Sequence, residues 1–458
     1  MSTLVPMTAV PTEPTAGPPA GPSRRRHDRE ILALAVPAFG ALVAEPLFLM
    51  ADSAIVGHLG TRQLAGVGVA SAALTTAAGM FVFLAYATTA AVARRIGAGD
   101  RRGAVQQGVD GLWLALGLSV PVALLTALLA PRVAEALGAS PTAAPYAETY
   151  LRISALGIPA MLLLLAATGV LRGLQDTRTP LLVAVAGFTA NIGLNAGLVY
   201  GAGLGVAGSA WGTVLAQTGM AAVYLVVVVR GARREGATLR PDATGIRAGA
   251  RAGGPLLVRT VSLRAVLMIA TAVAARLGDD QIAAHQVTMT LFSFLAFALD
   301  AIAIAGQAII GRYLGASDVP GARAAARRMV EWGVGSGVVL GLLVVLARPL
   351  YVPLFTPDPA VQEQLSTALL LLALTQPVAG LVFVLDGVLM GAGDGPYLAR
   401  AALATLAVFV PAALAVPPSG TGLAGLWWAM NLFMLVRAAF LVRRARGGSW
   451  LVTGAVRT

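Results

Sequence analysis

The sequence predicts an all-α integral membrane protein of twelve transmembrane helices in two parallel six-helix halves, and three observations carry that prediction. The first is composition. The 458 residues are 57% hydrophobic and 12% charged, with mean hydropathy +0.79, whereas a soluble domain is about 25% charged. The apolar residues lie in runs of roughly 20, the length a helix needs to cross a bilayer. The second is an internal repeat at a fixed offset of 218 residues. Pro37 recurs as Pro255, Leu59-Gly60 as Leu277-Gly278, and Gln63 as Gln281. Arg94, Gly97, Ala98, Asp100 and Gly103 recur as Arg312, Gly315, Ala316, Asp318 and Gly321. Pro159 recurs as Pro377, and Gly169, Leu171, Gly173 and Asp176 as Gly387, Leu389, Gly391 and Asp394. Alanine and leucine matches carry little weight in so apolar a chain. Gly, Pro, Asp and Arg matched without a gap are hard to obtain by chance, and doubled membrane halves are how transporters build a site that can face either side. The third observation is where the arginines fall.

Taken in order, the apolar runs place spans at 31–57, 66–92, 106–130, 149–171, 180–200, 206–229, 251–275, 284–311, 329–350, 364–390, 397–416 and 421–442. Six spans per half return the chain to its starting side, so the second half repeats the first in the same orientation. All 33 basic residues are arginine. Counting loops on alternate sides puts 26 of them on the side of both termini and 5 on the other, with Arg259 and Arg264 inside span 7. That asymmetry predicts cytoplasmic termini. It also accounts for the net charge of +12 without nucleic acid. The expected organisation is a disordered cytoplasmic tail over 1–29, an N-lobe over 30–229, a cytoplasmic linker over 230–250, a C-lobe over 251–442 and a cytoplasmic tail over 443–458. The first tail has no apolar core long enough for a signal peptide.

Ionisable groups inside a span cost on the order of 3 kcal/mol each, so each requires a reason. Span 1 carries Glu45 and Asp52. Seven residues is two turns, which puts both carboxylates on one face about 10 Å apart along the axis. Pro46 removes a backbone hydrogen bond there and predicts a kink. A bent helix with two acids inside suits a cation pathway. The alternative is that Asp52 merely marks the membrane end, near Gly57-His58-Leu59-Gly60. Span 5 carries Asn191 and Asn195, and span 6 carries Thr213 and Gln217, each pair one turn apart. Alone, such amides often only join helices. With Asp52 they make a set of oxygens that a small hard cation accepts. In the second half stand Asp300 in span 8, Asp386 in span 10, and Arg259 and Arg264 in span 7. These either pair with one another or touch substrate. Position 52 plus 218 falls on Ala270, so the halves are chemically unequal. Asp110 and Glu331, near span ends, are expected to be solvated.

Other chemistry is not signalled. There is no cysteine, hence no disulfide or thiolate metal site. No phosphate-binding loop supports ATP drive. His27, His58 and His285 cannot make a zinc site on their own, and packing is the expected role of His285. No cofactor is implied beyond a coupling ion.

Several ordered segments give the chain a resemblance. They are Glu45-Pro46-Leu47-Phe48 through Asp52 to Gly57-His58-Leu59-Gly60, then Leu171-Arg172-Gly173-Leu174-Gln175-Asp176-Thr177. In the second half they are Ala283-Ala284-His285-Gln286 and Leu299-Asp300 through Gly306-Gln307 to Gly311-Arg312. Over residues 30–442 the chain resembles the multidrug and toxic compound extrusion (MATE) family, most of all its DNA-damage-inducible F (DinF) branch. The resemblance implies two lobes around a central cleft, in a bacterial inner (plasma) membrane. It implies export of amphiphilic small molecules driven by inward H+ or Na+, with no enzymatic activity. It also implies an N-lobe ion site at Asp52, Asn191, Asn195 and Thr213. Some members have an aspartate where Asn195 stands. Its loss leaves one carboxylate, which favours H+ over a Na+ ion at Asp52. The span 10 acid of other branches is not matched by Asp386. Substrate-cleft candidates are Glu45, Gln217, Arg259, Arg264, Asp300 and Asp386, the acids attracting organic cations. One chain holds both lobes, so a monomer suffices. The rival is a flippase or exporter of a lipid-linked or anionic amphiphile, for which Arg259 and Arg264 would be the contacts. A non-transporting receptor does not explain the doubled architecture.

Overall fold

The computed structural model describes residues 24–457, and among them the regular structure is entirely helical. Span 1 is Arg24–Gly57 and span 2 is Thr61–Gly97. Span 3 is Arg101–Ala136, and span 4 is the pair Ala144–Ala155 and Ile158–Gly173, bent by 55°. Span 5 is Arg178–Gly201, span 6 Gly205–Arg234, span 7 Ala243–Leu277 and span 8 Asp279–Gly315. Span 9 is Val319–Phe355, span 10 Pro359–Gly391, span 11 Gly395–Ser419 and span 12 Gly422–Arg446. Eleven of these helices are individually long and apolar enough to cross a membrane, and the bent pair makes the twelfth.

The repeated residues turn out to be the joints of each lobe. In the first half a Cβ on Gly169 would lie 2.5 Å from the Ala85 carbonyl oxygen, and one on Gly173 would lie 2.9 Å from that of Thr89. In the second half Gly387 meets the Ala303 oxygen at 2.4 Å and Gly391 the Gln307 oxygen at 2.5 Å. All four contacts are the same two contacts shifted by 218. Small residues four apart let backbones touch, which is how helices associate where lipid is as apolar as leucine. Asp100 and Asp318 recur as helix caps, accepting from Gly103 N and Gly321 N, each at 2.8 Å. Such a cap satisfies amide groups that have no partner inside the helix.

The halves differ where one partner residue differs. Pro159 follows Gly157 at the break in span 4, whereas Pro377 sits inside the unbroken helix of span 10. The residue matching Gly157 is Thr375, which bonds back to the Leu371 carbonyl at 2.8 Å. Pro46, expected to kink span 1, likewise lies within a continuous helix, as does Pro37. Proline removes one hydrogen bond, and the break in span 4 has Gly157 two residues before its proline.

The lobes meet on the face that carries both described chain ends. A Cβ on Gly97 would lie 1.9 Å from the Arg312 carbonyl oxygen, and one on Gly315 would lie 1.9 Å from that of Arg94. Two backbones cross there on a local two-fold axis, and only glycine permits it. Span 1 starts at Arg24 and reaches across to the C-lobe from its first turn. Asp28 accepts from Arg328 Nε at 2.6 Å and from Trp332 Nε1 at 2.8 Å, and Glu30 pairs with Arg312. Residues 24–29 are thus docked helix rather than tail; the rest of the expected tail lies outside the described residues. The expected C-terminal tail also begins as helix, to Arg446. Trp450 is buried, Val452 O accepts from Arg94, and Gly454 N donates to Leu314 O at 3.0 Å. Span 6 continues to Arg234 and span 7 begins at Ala243, so the connecting segment is 235–242. It is pinned to span 3 by Trp113 Nε1 on Leu239 O at 3.0 Å. Asp110, expected to be solvated, is buried and accepts from Gln106 Nε2 at 3.2 Å. Glu331 is exposed and pairs with Arg328.

Candidate functional site

Span 1 presents Asp52 to the interior of the N-lobe, where it is 3% exposed. Asn195 Nδ2 donates to its Oδ1 at 2.6 Å and Ser209 Oγ donates to the same oxygen at 2.7 Å. Spans 1, 5 and 6 converge on one carboxylate, and Tyr150 of span 4 adjoins it. Burial and two side-chain donors hold Asp52 inside the N-lobe, five residues before span 1 ends at Gly57. The rings of Phe48 and Phe188 stack at 5.1 Å, one turn before Asp52 on span 1 and two turns before Asn195 on span 5. Asn191 lies between those two contacts on the same face of span 5. It is buried.

The oxygens left over define the site's chemistry. Asn191 Oδ1, Asn195 Oδ1 and Thr213 Oγ1 are buried without a hydrogen-bond partner. A Cβ on Gly212 would stand 1.9 Å from Asn195 Oδ1, so glycine keeps that oxygen's place open. Asp52 Oδ2 accepts neither of the two bonds just described. A carboxylate and neutral oxygens are the chemistry that a proton or a hard cation takes. Among the described residues, no group of three or more His, Asp or Glu could hold a metal. Just beyond Asn195, residues Gly197–Gly201 form a π-helical turn, a local widening common at functional sites. Within it the Tyr200 hydroxyl donates to Ile55 O at 2.5 Å.

The other candidates separate. Glu45 is exposed, two turns from Asp52, and is not part of the Asp52 cluster. Gln217 sits against the bend of span 4, its Oε1 3.2 Å from where a Cβ on Gly157 would be. Arg264 is exposed and extends from the C-lobe to span 2, its guanidinium 2.5 Å from a Cβ placed on Gly79. Arg259 is committed to Asp386, with Nε 3.3 Å from Oδ1 and a second nitrogen on Oδ2. Arg437 donates to Asp386 Oδ2 at 2.6 Å. The Arg259 guanidinium also stands 5.9 Å from the Tyr86 ring centre. Asp300 lies in the field of Arg172, Arg259, Arg437 and Asp386 without a direct ion pair. This inter-lobe cluster thus sets three arginines against two aspartates. His285 is fully buried beside Trp427, ring centres 5.9 Å apart, with neither ring nitrogen partnered.

Sequence reasoning missed four participants. Ser209 precedes Thr213 by one turn, and that spacing could have found it. Tyr150 carried no signal. Arg172 and Arg437 were counted with the loop arginines, but both lie inside helices of spans 4 and 12.

Comparison with known proteins agrees with the doubled helical fold. The MatE family model matches twice, over residues 37–196 and 255–414, two segments offset by 218. Protein DETOXIFICATION 44, chloroplastic, of Arabidopsis thaliana is 31% identical over 439 residues, covering 92% of this chain and 83% of its own. DNA damage-inducible protein F of Escherichia coli is 30% identical over 440 residues, covering 92% and 94%. Among solved structures, the Vibrio cholerae MATE transporter VcmN in its bent form superposes with a TM-score of 0.85 at 21% identity, over 93% of this chain and 98% of that one.

Proposed function

We propose, for a chain that belongs to the MatE family of multi-pass membrane transporters and is not an enzyme, that it exports amphiphilic, mostly cationic organic compounds by alternating access in exchange for inward-moving protons. The observation that carries the proposal is the lone buried carboxylate of Asp52, held by Asn195 and Ser209. An ionised acid there is retained only because donors from spans 5 and 6 hold it, so its charge and the packing of three helices are linked. Protonation at Oδ2 turns an acceptor into a donor. The new O–H can bond an unpartnered amide oxygen of Asn191 or Asn195, which re-ties span 1 to span 5. A cleft that exposes this group to each side in turn loads the proton outside and releases it inside. The face bearing the termini is read as cytoplasmic, in a bacterial plasma membrane, with the single chain working as a monomer.

A second coupling ion has its own support. The unpartnered oxygens of Asn191, Asn195 and Thr213, on the two spans that donate to Asp52, are the ligand type that a hard cation takes. A second substrate class is favoured by the arginine excess between the lobes, which suits an anionic or lipid-linked amphiphile. Proteoliposomes with separately imposed pH and Na+ gradients decide the ion. One pH unit is worth about 1.4 kcal/mol per proton, so a one-for-one exchange sustains roughly a tenfold substrate ratio. Asp52→Asn is expected to let that ratio decay to one while the protein still inserts and binds substrate. Gradient-driven accumulation by Asp52→Asn equal to the parent would overturn the assignment.

A further inference from the structure

A second site is built into the face that carries the termini, and broken symmetry reveals it. At the repeat offset, Arg94 corresponds to Arg312. Arg312 has side-chain partners, with Glu30 and Gln175 each on one terminal nitrogen of its guanidinium. The residues matching Glu30 and Gln175 are Ala248 and Gly393, which lack the carboxylate and the amide. Arg94 is 3% exposed. Its guanidinium reaches only backbone carbonyls, Ala392 O at 3.3 Å and Val452 O at 2.7 Å, and its Nε is buried with no partner. Among the described residues no carboxylate pairs with it.

The two missing side chains leave space. A cavity of about 630 Å³ opens between spans 2, 3, 7, 10, 11 and 12 and the C-terminal segment, with Arg94, Ala248 and Gly393 in its wall. Arg95, Arg251, Arg400, Arg444 and Arg457 also line it, with Asp394 as the one acid of the lining. Asp394 is shared by Arg444 at 2.6 Å and Arg457 at 3.0 Å, and Arg95 pairs outside the lining with Asp100 at 3.0 Å. Four positive charges therefore exceed the acids available. Deeper in, the wall is Phe83, Leu84, Leu114, Leu256 and Met390. Phe83 lies eleven residues before Arg94, about 16 Å along the helix axis. A buried charge persists only when paired, and arginine binds carboxylate and phosphate oxygens through two N–H groups at once.

We propose that this cavity binds one anionic amphiphile, whose acidic group occupies on Arg94 the place that Glu30 occupies on Arg312 and whose hydrocarbon lies against Phe83, Leu84 and Leu256. The site is separate from Asp52 and does not depend on the transport reading. A phospholipid and a free anionic surfactant-like molecule share this chemistry. Native mass spectrometry of the full-length protein distinguishes them, with phosphatidylglycerol, phosphatidylcholine, laurate and dodecyltrimethylammonium as probes. The parent protein is expected to retain one phosphatidylglycerol or one laurate and to shed the other two probes. Ala248→Glu supplies the missing carboxylate and should lower that retention at least tenfold. Gly393→Gln supplies the missing amide and should lower it as well. At the matching position Gln175 adopts φ 63°, close to the φ 72° of Gly393. Gly393→Gln decides the matter if Ala248→Glu does not fold. Retention of laurate alone identifies a free amphiphile, and retention of phosphatidylglycerol alone identifies a bilayer lipid. Retention of the anionic probes no better than of phosphatidylcholine and dodecyltrimethylammonium overturns the proposal, as does undiminished retention in the folded variants.

Discussion

Gly97→Ala tests how the lobes close. A Cβ at this position would stand 1.9 Å from the Arg312 carbonyl oxygen and 2.9 Å from the Ala316 amide nitrogen. Both obstacles are backbone, so no rotamer change relieves them. A carbon and a carbonyl oxygen approach to about 3.3 Å, so the two segments must part by more than an ångström. Overpacking of this kind costs about 1–3 kcal/mol. That cost exists only while the lobes touch on the terminus face, so the substitution should favour separation there by roughly 5- to 150-fold. The chain has no cysteine, so spin labels can be placed on Ala98→Cys and Ala316→Cys without background. Both positions are exposed beside the crossing. The inter-label distances should lengthen in Gly97→Ala. Gly315→Ala meets the Arg94 oxygen at 1.9 Å and should behave alike. Combining the two should add little, because one separation relieves both clashes. Unchanged distances in both single variants would refute the crossing as the closure of this face.

Asp386→Asn leaves Arg259 and Arg437 buried against a neutral group; loss of a buried partner costs about 3–5 kcal/mol, to be read as a fall in thermal stability of the detergent-solubilised protein. Asn195→Asp places a second acid 2.6 Å from Asp52 Oδ1, a geometry that only a shared proton or a cation relieves. Efflux by that variant is expected to respond to a Na+ gradient at matched pH, and a response no greater than the parent's would count against these oxygens as ligands. Trp450→Ala empties a site where the indole is buried and bonded to Ala445 O at 2.9 Å. Truncating such a side chain costs about 3–5 kcal/mol, and limited proteolysis should then cut 447–457 faster than in the parent.

Much of the Asp52 cluster was legible because it follows from helical spacing. Asn191 and Asn195 are one turn apart, as are Ser209 and Thr213, and a face is a local property. What spacing could not show is which donor reaches which oxygen. Asn195 and Ser209 both bond Asp52 Oδ1, while Asn191 and Thr213 keep unpartnered oxygens. The C-lobe charges were harder to read. Asp386, Arg259 and Arg437 lie on spans 10, 7 and 12, and no periodicity links helices that far apart in sequence. Arg437 looked like one more terminal arginine, because span 12 continues to Arg446 without an apolar marker.

The sequence by itself determined that this is a doubled, helical membrane protein. Hydropathy sets which segments cross the bilayer, and the 218-residue repeat sets that the halves share one orientation. The repeat also marked the glycines that join helices, since close backbone approach admits no other residue. Only the tertiary structure decided what each failure of the repeat does. Glu30 answers Arg312 while Ala248 leaves Arg94 unanswered, and Gly157 lets a helix break where Thr375 holds one intact. The first outcome rests on a contact across 282 positions, which exists only once the two lobes have closed on each other, whereas the second is settled within a single span.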